Sequence, residues 1–493
     1  MYPVFRNNIY TPFVRIGFVC IFLSYVAFIT YNITTPGYII EAFFTNPSFF
    51  VALRFLSVYL VLASLVILTV AAVIYAYIEI GRYKQQVAYL TEDRKLLEVR
   101  LPEDTQETLS SMEAVLEMIA YTGGEGLWFP VWWFGKKRPM YSFEIVSKGG
   151  IVSFLIHTRA NLAPAVMSAI YAFYPRAQVN EVDDYTHDFE YDKEKVSVFS
   201  FEWKLLQDNN PLPIKTYVEF QLERYPGTSG LPPDVVGSAM QPTRPLVDPL
   251  APLYDLFGSI GGDEQLWVQY VFRAQKYARS REDVASDPVT VDYWNKQKLP
   301  DEIRDALFDL EKRVKEGRAA DTDPAILSSA ERRLQAIGPR LIEKQAVEVG
   351  IRMMYVTPAG SFNPARLAPL TAVYKLTNAD ENALIPHGTL LTDKFEVPAL
   401  EPPRQDKEAE KQLLLQLYRD RLFWYAPALF MYQISDGKRW SKTVEGPTRP
   451  RIASVMTTET LATICHFPTV YVKTPTVKRI LSTTVEPPEN LPV

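Results

Sequence analysis

Cysteine and histidine are scarce in this chain of 493 residues, and the shortage removes whole classes of chemistry. The two cysteines, Cys20 and Cys465, cannot build a disulfide framework. Four histidines occur, His157, His187, His387 and His466, and the neighbours Cys465 and His466 have no second pair at zinc-ligand spacing. G-x-x-x-x-G-K-[ST] is missing: "FGKKRP" and "SDGKRWSKT" lack the first glycine and the lysine-hydroxyl spacing of a phosphate-binding loop. G-x-S-x-G and H-E-x-x-H are missing as well. Nor is there a basic excess, since 52 Lys and Arg against 57 Asp and Glu leave a net charge of -5, which argues against nucleic-acid binding by the whole chain. The expectation is a non-enzyme with no catalytic residues, cofactor, metal or small-molecule substrate.

Glycine does cluster once, in "LYDLFGSIGGDEQLWVQYVFRAQ", Leu253 to Gln275. A phosphate cradle needs a strand before its glycines and a helix after them. Here Gly258, Gly261 and Gly262 precede an apolar, aromatic strand-like run, and Asp263 and Glu264 would repel phosphate. The stretch reads as a strand-entry turn.

Long uncharged runs are present near the start. Phe55 to Ile78 carries no charge and matches the ~20 residues of a membrane-crossing helix, and Ile16 to Tyr31 is a shorter second run. The expectation is a membrane anchor over 1–83 with two transmembrane helices, about 13–33 and 53–78. Arg6 and Arg15 precede the first run and Arg82, Lys84, Arg94 and Lys95 follow the second, which puts both termini inside. The expected location is the cell (cytoplasmic) membrane, multi-pass, with the bulk of the chain in the cytoplasm.

Beyond the anchor the periodicities alternate. "LLEVRLP" reads as a strand and Glu107–Tyr121 as a helix; a hairpin turning at Lys148-Gly149-Gly150, a second helix and the strand "AQVNEVDDY" follow. The order is βαββαβ, the ferredoxin-like arrangement, over 94–207. A proline-rich linker or loop, 208–253, leads to a second related α+β unit, 254–470, and a proline-rich tail, 471–493. The expected fold class is therefore α+β, with two N-terminal transmembrane helices followed by the two units.

Two non-catalytic segments stand out. Within the second unit a helical hairpin is expected at about 300–344, its seam made by Ile303, Leu307, Leu310, Val314, Leu334, Ile337 and Leu341, with Asp323-Pro324 as a helix start. This hairpin is the candidate partner-binding arm. "LWFPVWWFGKKRP" joins Trp128, Phe129, Trp132 and Trp133 to Lys136, Lys137 and Arg138, the composition of a membrane-interface patch. Single-stranded nucleic acid would use the same residue types. Glu181, Asp183, Asp184 and His187 form the one acidic cluster with acid-base potential, and as the end of a strand it also suits a solvated edge.

"YAFYPRAQVNEVDDYT", "PIKTYVEF", "GDEQLWVQYVFRA", "TTETLATICHFP" and "EPPENLP" occur in an order that resembles the N-terminal domain of conjugation and type IV secretion-type ATPase proteins of candidate-phyla bacteria. The resemblance covers most of Leu96 to Val493. In that family a HerA-like ATPase domain follows, and no such motor is encoded here. The resemblance implies a membrane-anchored structural or adaptor subunit of a translocation apparatus, with the lipid bilayer, a separate HerA-like ATPase or other apparatus subunits, and further copies of itself as candidate partners. The alternatives are a membrane-tethered enzyme using the acidic cluster, or a nucleic-acid-binding membrane protein.

Overall fold

The computed structural model describes residues 91–102, 105, 107–120, 138–188, 191–192, 194–207, 212–220, 222, 247–275, 298–319, 327–387, 415–421, 423, 453–472 and 479–480, with scattered helical residues between 60 and 77. The chain divides into two units, and the sheet lies in the one comprising 89–126, 136–426 and 436–493.

The strands are β1 (Arg94–Pro102), β2 (Tyr141–Lys148), β3 (Ile151–Arg159), β4 (Gln178–Val182), β5 (Val196–Leu205), β6 (Gln265–Ala274), β7 (Ala346–Pro358), β8 (Leu384–His387), β9 (Ser454–Thr457) and β10 (Arg479–Ile480). The helices are α1 (Leu109–Ile119), α2 (Ala163–Phe173), α3 (Ala251–Gly258), α4 (Lys298–Ala319), α5 (Ser329–Ile342), α6 (Leu367–Leu370) and α7 (Thr458–Ile464). The architecture is α+β. Nine strands pair antiparallel, and β10 joins β1 in parallel through two residues.

Laterally the sheet runs β4-β1-β3-β2-β6-β7-β5-β8, with β9 on β7. In the first half the chain order β1-β2-β3-β4 becomes the lateral order fourth, first, third, second. The second half repeats it, since β5-β6-β7-β8 become β8-β5-β7-β6. The halves meet where β2 and β6 pair from Tyr141↔Phe272 to Lys148↔Gln265. One continuous sheet thus spans both sequence units. Within 208–253, the described Ile214, Thr216, Leu250 and Leu222 are buried in the core rather than looped out.

Period-two alternation sends Leu97, Val99, Phe143, Ile145, Phe154, Val268, Tyr270, Ile351 and Met353 to the helix-covered face, where Val115, Leu116, Ile170, Tyr254 and Leu461 meet them. Phe467 packs edge-on against Phe143, Phe154 and Tyr174 with ring centroids 5.3, 5.7 and 5.2 Å apart. The Gly149-Gly150 turn has φ of 58° and 83°, which only glycine adopts without strain. It lies so close to the glycine-rich stretch that a Cβ on Gly149 would stand 2.8 Å from the Gly262 carbonyl oxygen. Gly258 closes α3 and Gly261–Gly262 form the turn into β6.

The expected anchor requires correction. Among the described residues no helix is long and apolar enough to cross a membrane, which overturns both the two-transmembrane-helix part of the fold class and the multi-pass location with a cytoplasmic bulk. The first run lies outside the described residues. Of the second, only scattered residues between 60 and 77 are described, and they are helical.

A buried ionic knot ties α7 to the start of α3. Asp248 accepts from Leu250 N at 2.8 Å and Thr469 Oγ1 at 2.7 Å, and it lies 3.0 Å from His466 Nε2. His466 Nδ1 is 2.8 Å from the Ala462 carbonyl. The imidazole is thus held at both ring nitrogens, between a carboxylate and a backbone carbonyl. Burial pulls the Asp248 carboxyl upward, but the charge and hydrogen bond of His466, with Thr469 and Leu250, hold it below its ordinary value. A depressed carboxyl contributes stability that is fully present above the unfolded pKa and is lost as pH falls through the lower folded value. Replacing Asp248 with Ala is expected to cost about 3–5 kcal/mol in urea unfolding, the usual penalty for stranding one partner of a buried pair. A loss under about 1 kcal/mol would mean that the knot is not a structural tie.

Candidate functional site

On the sheet face opposite the main core, polar side chains interrupt otherwise apolar strands in a straight transverse row. Glu144 stands opposite Gln269, Gln269 opposite Arg352, and Arg352 opposite Glu202. Glu144, Gln269 and Arg352 are fully buried. Such a row is tolerable only if its members satisfy one another or a covering segment.

The cover is the segment 415–423. Residues 415–419 are helical, and the carbonyls at this helix end point at the row: Leu417 O accepts from Arg352 Nη1 at 3.1 Å and Tyr418 O from Gln269 Nε2 at 3.2 Å. The turn that follows places Arg421 at φ 50° and drives its guanidinium inward. Nε donates to Glu144 Oε1 at 3.0 Å and Nη2 to Glu144 Oε2 at 3.2 Å, while Nη1 donates to Asp184 and to Arg419 O. Glu144 also accepts from Ser142 Oγ at 2.7 Å, Tyr185 Oη at 2.8 Å and Gln269 Nε2 at 3.0 Å. In the row, Gln269 Oε1 has no hydrogen-bond partner. Trp267 packs between Tyr185 and Tyr418 at 5.0 and 5.5 Å. Farther along, Phe423 lies 5.4 Å from the Arg352 guanidinium, and a Cβ on Gly350 would collide with its ring.

Burial opposes the charge on Arg421, yet Glu144 and Asp184 raise its pKa well above the ordinary arginine range. Burial likewise pushes Asp184 up, and the hydrogen bond and charge of Arg421 with the two bonds from Thr186 bring it below its ordinary value. Tyr185 and Tyr418 are pushed far up, first by burial and then by the Glu144 charge, so their hydroxyls stay protonated. Chemically the row is a clamp.

Beside the clamp lies a polar cleft of about 370 Å³, lined by Arg94, Lys95, His157, Asp183, Asp184 and Asp420 among others. It brings Glu181, Asp183 and Asp184 of the acidic cluster to one wall, while His187 is exposed outside its lining. Glu181 is paired with Lys95 at 2.7 Å and Asp184 with Arg421. His157 is only 7% exposed. Burial first, then the charges of Arg421 and Arg94, hold its imidazole neutral. Burial also raises the Asp420 carboxyl against the opposing effects of Gln416 and Arg421.

Of the aromatic-basic patch, Trp128, Phe129, Trp132, Trp133, Lys136 and Lys137 lie outside the described residues. Arg138 is described and buried, donating to Ala274 O at 2.5 Å and to Glu348 at 3.2 Å, so its guanidinium is an internal tie rather than a surface charge. The hairpin residues Ile303, Leu310, Leu334, Ile337 and Leu341 are buried in a satellite core with Leu212 and Ala346, and Leu307 and Val314 pack against it. A Cβ on Gly338 would stand 2.9 Å from Leu307, so glycine there lets α4 and α5 approach. The seam holds the two helices together and presents none of these five buried side chains to a partner. Asp323-Pro324 lies outside the described residues; the described start of α5 is a capping box between Ser328 and Glu331. Further ties fix α5 to the sheet unit: Arg340 to the buried Glu459 at 2.9 Å and Arg333 to Glu219 at 2.9 Å.

Sequence reasoning overlooked Glu144, Gln269, Arg352 and Arg421. Gln269 in "LWVQYVF" and Arg352 in "VGIRMMYV" carried a readable signal, a lone polar residue inside a run buried on both faces. No protein-family model matches this chain. No curated protein is significantly similar to it either.

Replacing Arg421 with Met is expected to destabilise the unit by about 3–5 kcal/mol, because Glu144 is left buried without its countercharge. The double variant with Glu144→Met should lose clearly less than the sum of the two single losses in a denaturation cycle. Additive losses would show that the two side chains act separately.

Proposed function

We propose that this chain is a non-catalytic structural or adaptor subunit of a type IV secretion- or conjugation-like translocation apparatus, working with a HerA-like ATPase carried on another chain. The observation that carries this reading is where the resembling segments fall. "GDEQLWVQYVFRA" includes β6, one of the two strands that join the halves, and "TTETLATICHFP" includes the end of β9 and the whole of the buried α7. "YAFYPRAQVNEVDDYT" runs from α2 through β4 into Tyr185, which binds Glu144. The likeness is therefore one of framework, as expected of a domain used for assembly.

The clamp supports the same reading, since its charges are spent on the chain's own segment 415–423. A second reading, an acid-base enzyme, is favoured by one feature: a neutral, buried His157 facing the same cleft as Asp420, whose carboxyl is raised.

Purified protein is expected neither to bind nor to hydrolyse ATP, but to recruit its cognate ATPase and raise its turnover on mixing. Measurable turnover abolished by His157→Ala would favour the enzyme and reject the adaptor. A cognate ATPase whose turnover and recruitment are unchanged by this chain would reject the adaptor as well.

A further inference from the structure

The outer face of α4 carries a pattern that its packing does not explain. Opposite the buried Ile303 and Leu310, the positions Asp301, Asp305, Phe308, Lys312 and Lys315 repeat at spacings of four, three, four and three residues. That is the spacing of a helix-helix seam. Phe308 sits at its centre and is 67% exposed, among the most exposed large hydrophobic side chains described. Asp305, Lys312 and Lys315 are exposed too, and Asp301 is half-buried.

The order acid, acid, aromatic, base, base becomes its own complement when reversed. A second α4 laid antiparallel across a two-fold axis at Phe308 sets Asp305 against Lys312 and Asp301 against Lys315, twice each, with the two phenyl rings on the axis. We propose that α4 mediates isologous pairing of two copies of this chain through this outer seam. The pairing goes beyond the adaptor reading and does not depend on it.

Asp301 pairs with Arg304 and Lys315 with Glu311 within α4, both as exposed ion pairs that a facing helix replaces at little cost. On one flank Arg304 would face Glu311 of the second copy. On the other, Asp309 would face its own counterpart and opposes the pairing. A seam of about 21 Å on one helix is a small contact, so reversible pairing is expected.

Sedimentation equilibrium of the purified full chain at low salt tests this. Wild type should dimerise with concentration. Asp305→Lys, Lys312→Glu and Phe308→Ala should each weaken dimerisation about tenfold or more without changing far-UV circular dichroism, since all three sites are exposed. Asp305→Lys mixed with Lys312→Glu should restore pairing as a heterodimer, because each seam then opposes unlike charges. Wild type that stays monomeric to about 300 μM, reversed variants that self-associate as wild type does, or a mixture that fails to pair would each overturn the proposal. Monomeric wild type whose ATPase recruitment is lost on Phe308→Ala would assign the same face to the other partner.

Discussion

A charge taken out of water must be matched inside, and Arg421 is where this constraint bears hardest on the structure. Its guanidinium occupies a site walled by Glu144 on β2, Asp184 after β4 and the carbonyl of Arg419. Without it, Glu144 would be an unbalanced carboxylate at the centre of the sheet. With it, the segment 415–423 is pinned across the join between the two halves, and the carbonyls of Leu417 and Tyr418 accept from Arg352 and Gln269. The left-handed backbone at Arg421 is the local strain that the ion pairs offset.

The same rule recurs at the other buried charges. Asp248 and His466, Glu459 and Arg340, and Glu348 with Arg138 and Arg273 each join elements distant in sequence. Replacing such a pair by apolar groups need not cost stability, whereas removing one member does. These pairs thereby favour one docking arrangement of helices and covering segments over others of similar apolar burial. Two halves with the same lateral strand order would otherwise offer several nearly equivalent ways of packing.

Legibility differed by element. β1, β2, β3, β6 and β7 stand where alternation and apolar runs indicate, because side-chain period and burial are linked directly in a strand. The hairpin of α4 and α5 was readable from its heptad spacing for the same reason. The end of the helical residues 415–419 was not readable: no glycine or proline marks a boundary there, because Arg421 turns to reach carboxylates more than two hundred residues earlier. The stretch "PARLAPLTAVYKLTN" forms a series of short turns around α6, as its prolines and threonines allow.

The amino-acid sequence by itself determined the α+β alternation, the strand and helix periods, the absence of a phosphate loop and the polar interruptions in β6 and β7. Those properties depend on residues near one another in the chain. Tertiary structure alone decided that the two halves share one sheet, that Glu144, Gln269, Arg352 and Glu202 align into a row, and that Arg138 is an internal tie. It also decided which carboxylates of the acidic cluster find partners, pairing Asp184 with Arg421. Each of these depends on strand register and on contacts between distant segments, and no local spacing encodes which buried charge will meet which.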